Sequence, residues 1–327
     1  MSIKGATKSI IDDDDKNRKQ LKNAPPPTEA VITVLFLLMV SLYFLPGCIE
    51  EIVNNEATPQ VFVRRLYPDY VSVEGVINMR LAFGLLCFGV TLIQVTCLER
   101  IIRPAYLRPQ SKLMDVNIIM KGSKFLYMFT SWTWLLLGST FLLSSYITWS
   151  IHNSGTAPQW LLVVTLMAWK ISAPLTLLVG SVVKYVLWPA TLKKNGTSHN
   201  FRSIPSLLQH NFNILMALTE LLLIGGLPVR LNHIVLPLLF GIVYVFFSWS
   251  TMNHWNPKTG PAAVYFFFDT TLGRTHTIAL IMLLGALTLF YVIFCVIEYF
   301  TSIGSQGIRQ NLIIIMVICL ATCRINN

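Results

Sequence analysis

The sequence predicts an all-α, polytopic helical membrane protein with about seven transmembrane helices. Three observations predict that class. Hydrophobic residues make up 54% of the chain and charged residues only 12%, against roughly 25% charged in a soluble domain. Apolar runs long enough to cross ~30 Å of hydrocarbon recur six or seven times. Between them, Lys and Arg concentrate in alternate polar segments, as the positive-inside rule produces.

Residues 1–27 are polar, with an Asp12–Asp15 run and Pro25–Pro27. They read as a disordered cytosolic tail, with nothing resembling a cleavable signal. The transmembrane domain is placed at 28–300. Its spans are expected at about 29–48, 80–98, 126–149, 160–188 (interrupted by Pro174), 208–226, 233–252 and 278–299. Residues 301–327 form a C-terminal tail. Its apolar piece, Leu312–Cys323, is too short to span comfortably and is expected to be re-entrant or interfacial.

Lys and Arg number six in the N-terminal tail, two at 64–65, six at 99–125, none at 150–159, three at 189–207 and one at 227–232. That alternation sets the N-terminus and the loops 99–125 and 189–207 in the cytosol. Asn195-Gly196-Thr197 is a glycosylation sequon that this topology leaves unused. The formal charge of +10 is thereby explained without nucleic acid as a partner. The partner expected is the bilayer. Endoplasmic reticulum and plasma membrane remain open, as does the oligomeric state.

Six scattered cysteines without a CxxC read as small buried hydrophobes. HExxH, P-loop, GxSxG and GxGxxG motifs are absent, and no two histidines sit at matched depth on facing spans. No metal or cofactor is expected.

The stretch from Leu207 to His233 carries most of the functional signal. It holds His210 near its start, Glu220 deep inside, a break at Gly225-Gly226, then Arg230 and His233. With His210 at zero, Asn213 falls near about −60° and Glu220 near about −80° on a helix of 3.6 residues per turn. The three form one polar stripe on an apolar helix, and ionisable residues in lipid are functional candidates by default. Glu220 lies roughly 15 Å of helix rise from His210 and cannot orient it. Its expected role is structural, with Arg230, His233 or hydroxyls of the third span as partners. Lys170, mid-membrane, either snorkels or pairs with Glu220.

Thr130, Thr133, Thr140 and Ser144 share one face of the third span. By parity, Thr130 and His210 enter the membrane from the same side. Together they offer a hydroxyl and an imidazole at one depth, the ingredients of an activated nucleophile. Hydroxyls in such helices also serve to bond their own helix carbonyls or a neighbouring helix. In the sixth span, His233, Pro237, Gly241, Tyr244 and Ser248 share a face suited to close packing, with the Tyr244 hydroxyl inside. His199, His254 and His276 fall in loops without an expected role.

QHNFNILMALTE followed by LPVRLNHIVLPLLFGIVYVFFS resembles the membrane family that joins the androgen-induced (FAR-17a type) and rolling stone proteins. FTSWTWLLLGSTFLLS is similar to that family's threonine-bearing span, and KISAPLTLLVGSVVKYVLWP to its next one. VYFFFDTTLG looks like a degraded rolling stone YPxLDW segment, with Phe266 for the proline and Thr270 for the tryptophan. The resemblance covers about residues 120–300. It implies an intramembrane threonine hydrolase that cleaves lipid esters such as fatty acid esters of hydroxy fatty acids. The nucleophile falls on Thr130 and the essential histidine on His210. Asn213, Glu220, Arg230, His233 and Tyr244 are left to substrate binding or structural support, and Asn211, Asn213 or Ser131 to the oxyanion. The rolling stone branch implies an alternative, a non-enzymatic membrane protein acting in cell–cell fusion or partner binding.

Overall fold

The computed structural model describes residues 21–102, 110–114, 116–196, 199–254, 260–303 and 307–324. Seven helices are long and apolar enough to cross a membrane: α1 Thr28–Glu56, α2 Val73–Cys97, α3 Phe129–Ser154, α4 Gln159–Lys193, α5 Ile204–Ile224, α6 Leu231–Met252 and α7 Arg274–Thr301. Hydrocarbon offers the backbone no partners, so each crossing closes its own hydrogen bonds as a helix. The chain is an integral membrane protein. Local signals set the ends. Ser72 caps α2 by accepting from Gly75 N at 3.0 Å. Gly155, at φ 76°, ends α3 in the left-handed conformation that glycine adopts without strain.

The central helices pack closely because small residues let the backbones approach. A Cβ at Gly138 would lie 2.5 Å from Cys87 Cβ, and one at Gly84 would lie 2.5 Å from Leu142 Cδ2. Trp134 then donates its indole N–H to the Cys87 carbonyl at 2.9 Å. Of α4, 83% of the most apolar stretch is buried inside the protein, so it is the bundle's central post.

Four boundaries differ from expectation. Residues 21–27 are not loose: Ala24 is buried, its N–H bonds Asn253 Oδ1 at 3.0 Å and its carbonyl takes Thr270 Oγ1 at 2.8 Å. The acidic segment after the first span stays helical to Glu56 through a π-helical turn, Ile52–Glu56. The second span begins at Val73, which draws Arg80 two turns inside it. The basic loop carries a two-stranded antiparallel ribbon, β1 Glu99–Ile102 with β2 Ile118–Lys121. The remainder of the tail, residues 1–20, lies outside the described residues.

The short apolar C-terminal piece forms α8, Ile308–Thr322, which runs antiparallel along α5. At its start Asn311 donates to the Leu222 carbonyl and the Tyr67 hydroxyl, both at 2.8 Å. Just past its end, the Arg324 carbonyl accepts from Asn211 at 2.9 Å and the Arg324 guanidinium donates to the Lys184 carbonyl at 3.1 Å. Fifteen residues cover the depth because both ends dock on polar groups of neighbouring helices rather than on the membrane surface. An epitope appended after α8 is therefore expected on the same side as one inserted at residue 195. Protease protection in sealed vesicles checks this; opposite protection of the two tags would refute it.

Candidate functional site

Thr130 is the second residue of α3 and is 6% exposed. It lines a narrow apolar cavity of about 50 Å³ among α3, α4, α6 and α7. Its walls are aliphatic on α4 (Leu178, Val179, Val182) and α7 (Leu284, Leu287), and aromatic on the loop before α7. That loop supplies Tyr265, Phe267 and Phe268, so the VYFFFDTTLG segment forms a wall of the cavity. His276, read as an unremarkable loop residue, is instead fully buried in the first turn of α7. Trp249 donates to its Nε2 at 3.2 Å, which leaves the proton on Nδ1 for the Phe267 carbonyl at 3.0 Å. It braces the aromatic wall.

The polar groups at this cavity are hydroxyls. The Tyr265 phenol faces the Thr130 hydroxyl, and burial pushes it up to about 12 while hydrogen bonds from Thr130 and Phe129 limit the rise. It is a donor at neutral pH and not a base. Tyr244 borders the same cavity but spends its proton on the Tyr127 carbonyl at 2.8 Å, which makes it a fixed strut.

His210 is 7% exposed and sits in a π-helical turn, Leu208–Phe212, near the start of α5. Its Nδ1 lies 3.0 Å from Ser206 Oγ, and the Phe201 ring meets it edge-on with centroids 6.1 Å apart. Arg100 is close enough to act on it electrostatically, and is itself held by Ser203 Oγ at 2.5 Å and the Phe125 ring. The Phe125 carbonyl in turn accepts from Ser131. Thr130 and His210 thus belong to the same end of the bundle, at the depth parity assigned them. They are not brought together. No hydrogen bond joins the two, and His210 does not line the Thr130 cavity. The helix α4 turns its Leu178–Val179–Val182 face to the cavity, whereas its Gly180 faces the His210 carbonyl.

Comparisons with family models, curated proteins and solved structures return no match to this chain.

Two of the three oxyanion candidates, Ser131 and Asn211, already spend donors elsewhere. Ser131 donates to the Phe125 carbonyl at 2.7 Å, and Asn211 is clamped to Arg324 through both side-chain atoms. Asn213 Oδ1 accepts from the next backbone N–H at 2.8 Å. The hydroxyl stripe of α3 likewise turns inward on its own helix: Thr133 donates to the Thr130 carbonyl and Thr140 to the Leu136 carbonyl.

Glu220 is fully buried and forms a bidentate pair with Arg80, at 2.6 and 3.0 Å. Arg80 completes its donors with the Phe62 carbonyl at 2.8 Å and Thr148 Oγ1 at 2.6 Å. The structural role is as expected, but the ion-pair partner is Arg80 rather than Arg230, His233 or Lys170. Gly225 explains the break that follows, since a Cβ there would fall 2.2 Å from Arg80 Nη2 and 2.7 Å from Glu220 Oε1. Gly225→Ala is accordingly expected to cost about 1–3 kcal/mol, as core overpacking does. It should lower the thermal midpoint in detergent; an unchanged midpoint would mean the guanidinium yields freely.

Arg230 and His233 belong to a second charged group at the opposite end from His210. Its hub is Glu56, which takes Lys170 Nζ at 2.5 Å and Arg230 Nε at 2.8 Å. His233 lies behind, 3.4 Å from Glu51 and 4.0 Å from Glu56. Lys170 also donates to the Pro228 carbonyl at 3.0 Å. Sequence reasoning placed Glu56 in a loop and did not weigh it or Arg80. The available signal was one of pairing: a buried acid and a buried base each require an opposite charge.

Proposed function

We propose that this membrane protein admits an apolar lipid ester into the Thr130 cavity and hydrolyses it, with Thr130 as nucleophile and fatty acid esters of hydroxy fatty acids among the fitting substrates. The observation that carries the reading is a threonine hydroxyl on the wall of an apolar cavity, facing the neutral phenol of Tyr265. In this mechanism the Thr130 oxygen attacks the ester carbonyl and forms a C–O bond. Its proton passes to His210, and the alkoxide leaves with that proton. Water then cleaves the acyl-threonine. Tyr265 suits the developing oxyanion, a place for a preorganised donor. Substrate entry must bring His210 to Thr130, and the π-helical turn at Leu208–Phe212 is the element that would adjust; such turns recur at functional sites. The resemblance of residues about 120–300 to the androgen-induced and rolling stone family supports the same assignment.

A second reading, a non-enzymatic rolling stone-like protein that holds a lipid or a partner, is favoured by the separation of Thr130 from His210. Labelling by a fluorophosphonate probe distinguishes the two, because it needs an activated hydroxyl. Wild-type protein should label and Thr130→Ala should not. Equal labelling of both, or none in the wild type alongside no turnover of a lipid-ester panel, favours the non-enzymatic reading. The Lys/Arg alternation supports a cytosolic His210 end, in the endoplasmic reticulum or plasma membrane.

A further inference from the structure

The Glu56 end holds a second, open cleft of about 580 Å³. One wall is charged and rigid. Lys170 and Glu56 are 0% and 2% exposed, and Glu56 meets Arg230 Nε at 2.8 Å. The Arg230 side chain is nevertheless 60% exposed and lines the cleft. Arg64 also borders the cleft and spends Nε and Nη2 on the neutral carbonyls of Gly225 and Gly226. Glu298 is the second carboxylate of the lining. The lining thus carries two guanidiniums, Arg64 and Arg230, beside two carboxylates, of which Glu56 is already spent on the fully buried Lys170. The other wall is a stripe of α7, Val292, Val296 and Tyr299, at helical spacing. Val296 and Tyr299 are exposed on the apolar surface of that helix.

We propose that this cleft binds an anionic amphiphile, its carboxylate or phosphate on the Arg230 fork and its chain along α7. An exposed guanidinium matches either oxyanion in a two-pronged geometry. The partly desolvated setting strengthens that contact, and the α7 stripe supplies the surface a chain needs. The site is independent of the hydrolase reading, since neither Thr130 nor His210 borders it.

Native mass spectrometry of the full-length chain, purified in a non-ionic detergent, tests the proposal with four probes. Oleate and oleoyl lysophosphatidate carry the two head groups, oleyl alcohol keeps the chain without charge, and inorganic phosphate keeps the charge without the chain. At least one anionic lipid should bind about tenfold tighter than the alcohol and the phosphate, a difference of about 1.4 kcal/mol. The tighter of the two identifies the head group. Arg230→Gln should remove that preference, and Val296→Trp should block the chain while leaving the charges in place. Glu298→Gln should tighten anion binding. Binding of both oleate and oleoyl lysophosphatidate no tighter than that of oleyl alcohol overturns the proposal. So does unchanged anion binding in both Arg230→Gln and Val296→Trp, each shown to be folded by an unchanged thermal midpoint. Weaker binding in Glu298→Gln overturns it too, since the head group would then carry a cation.

Discussion

Arg80→Leu is expected to destabilise the protein by about 3–5 kcal/mol, the cost of stranding one member of a buried ion pair. Arg80 and Glu220 are both fully buried, so the Glu220 carboxylate would keep its desolvation cost and lose its counter-charge. The Phe62 carbonyl and Thr148 would lose their donor as well. Glu220→Leu should cost a similar amount from the other side. The double variant should be more stable than either single one, because two apolar residues of similar size remove both charges together. Thermal midpoints in one detergent at one protein concentration measure this. Additive losses in the double variant would show that the pair is not a coupled unit. Thr148 lies eighteen residues after Thr130, roughly 27 Å along the helix. Turnover per folded molecule should therefore survive a conservative Glu220→Gln change, and a selective loss of turnover would place the carboxylate in the chemistry.

The largest kinetic effects are expected at Thr130 and His210. Thr130→Ala removes the attacking oxygen, and His210→Ala removes the group that takes its proton. Each should lower turnover of a lipid ester by roughly 10²–10⁴-fold, the scale of general acid–base catalysis. The double variant should be little worse than either single one, since groups that act as one unit do not contribute additively. Thr130→Ser should keep part of the activity, because it retains the oxygen. Thr133→Ala, which only loses a bond to the Thr130 carbonyl, serves as the packing control and should be mild. The working base must be a neutral imidazole, so activity should rise with pH as His210 loses its proton and fall again on acidification. If the two single losses multiply in the double variant, the residues act separately, as their separation in this structure would then already show. Loss of the hydroxyl pair's donor in Tyr265→Phe should fall between these extremes, since removing one oxyanion donor leaves nucleophile and base intact.

Much of this protein was legible along one coordinate, depth. Hydropathy located seven apolar helices, with all ends but two within five residues, because hydrocarbon punishes any polar backbone or side chain left in it. Parity then put Thr130 and His210 at one end, and helical spacing put Glu220 too deep to serve His210. Where charges sat near a helix end, the boundaries failed. Glu56 was expected between spans and Arg80 at the very start of the second, yet both lie inside helices, where a partner in the bundle neutralises each. The tail failed for a related reason: Ala24 is ordered by a loop almost 230 positions away, at Asn253.

What only the tertiary structure decided is direction around each helix axis and the identity of neighbours. The sequence by itself determined that Glu220 and Lys170 needed opposite charges in a low-dielectric interior. It could not say that Arg80 on α2 and Glu56 at the end of α1 would supply them. It determined that a threonine and a histidine share a depth, but the position of α4 turns one toward an aromatic cavity and the other toward Ser206 and Arg100. The physical reason is that burial in lipid acts on each segment independently, whereas azimuth is chosen when helices pack. That choice follows from glycines such as Gly138, Gly180 and Gly225, whose missing side chains mean nothing until a particular neighbour occupies the space.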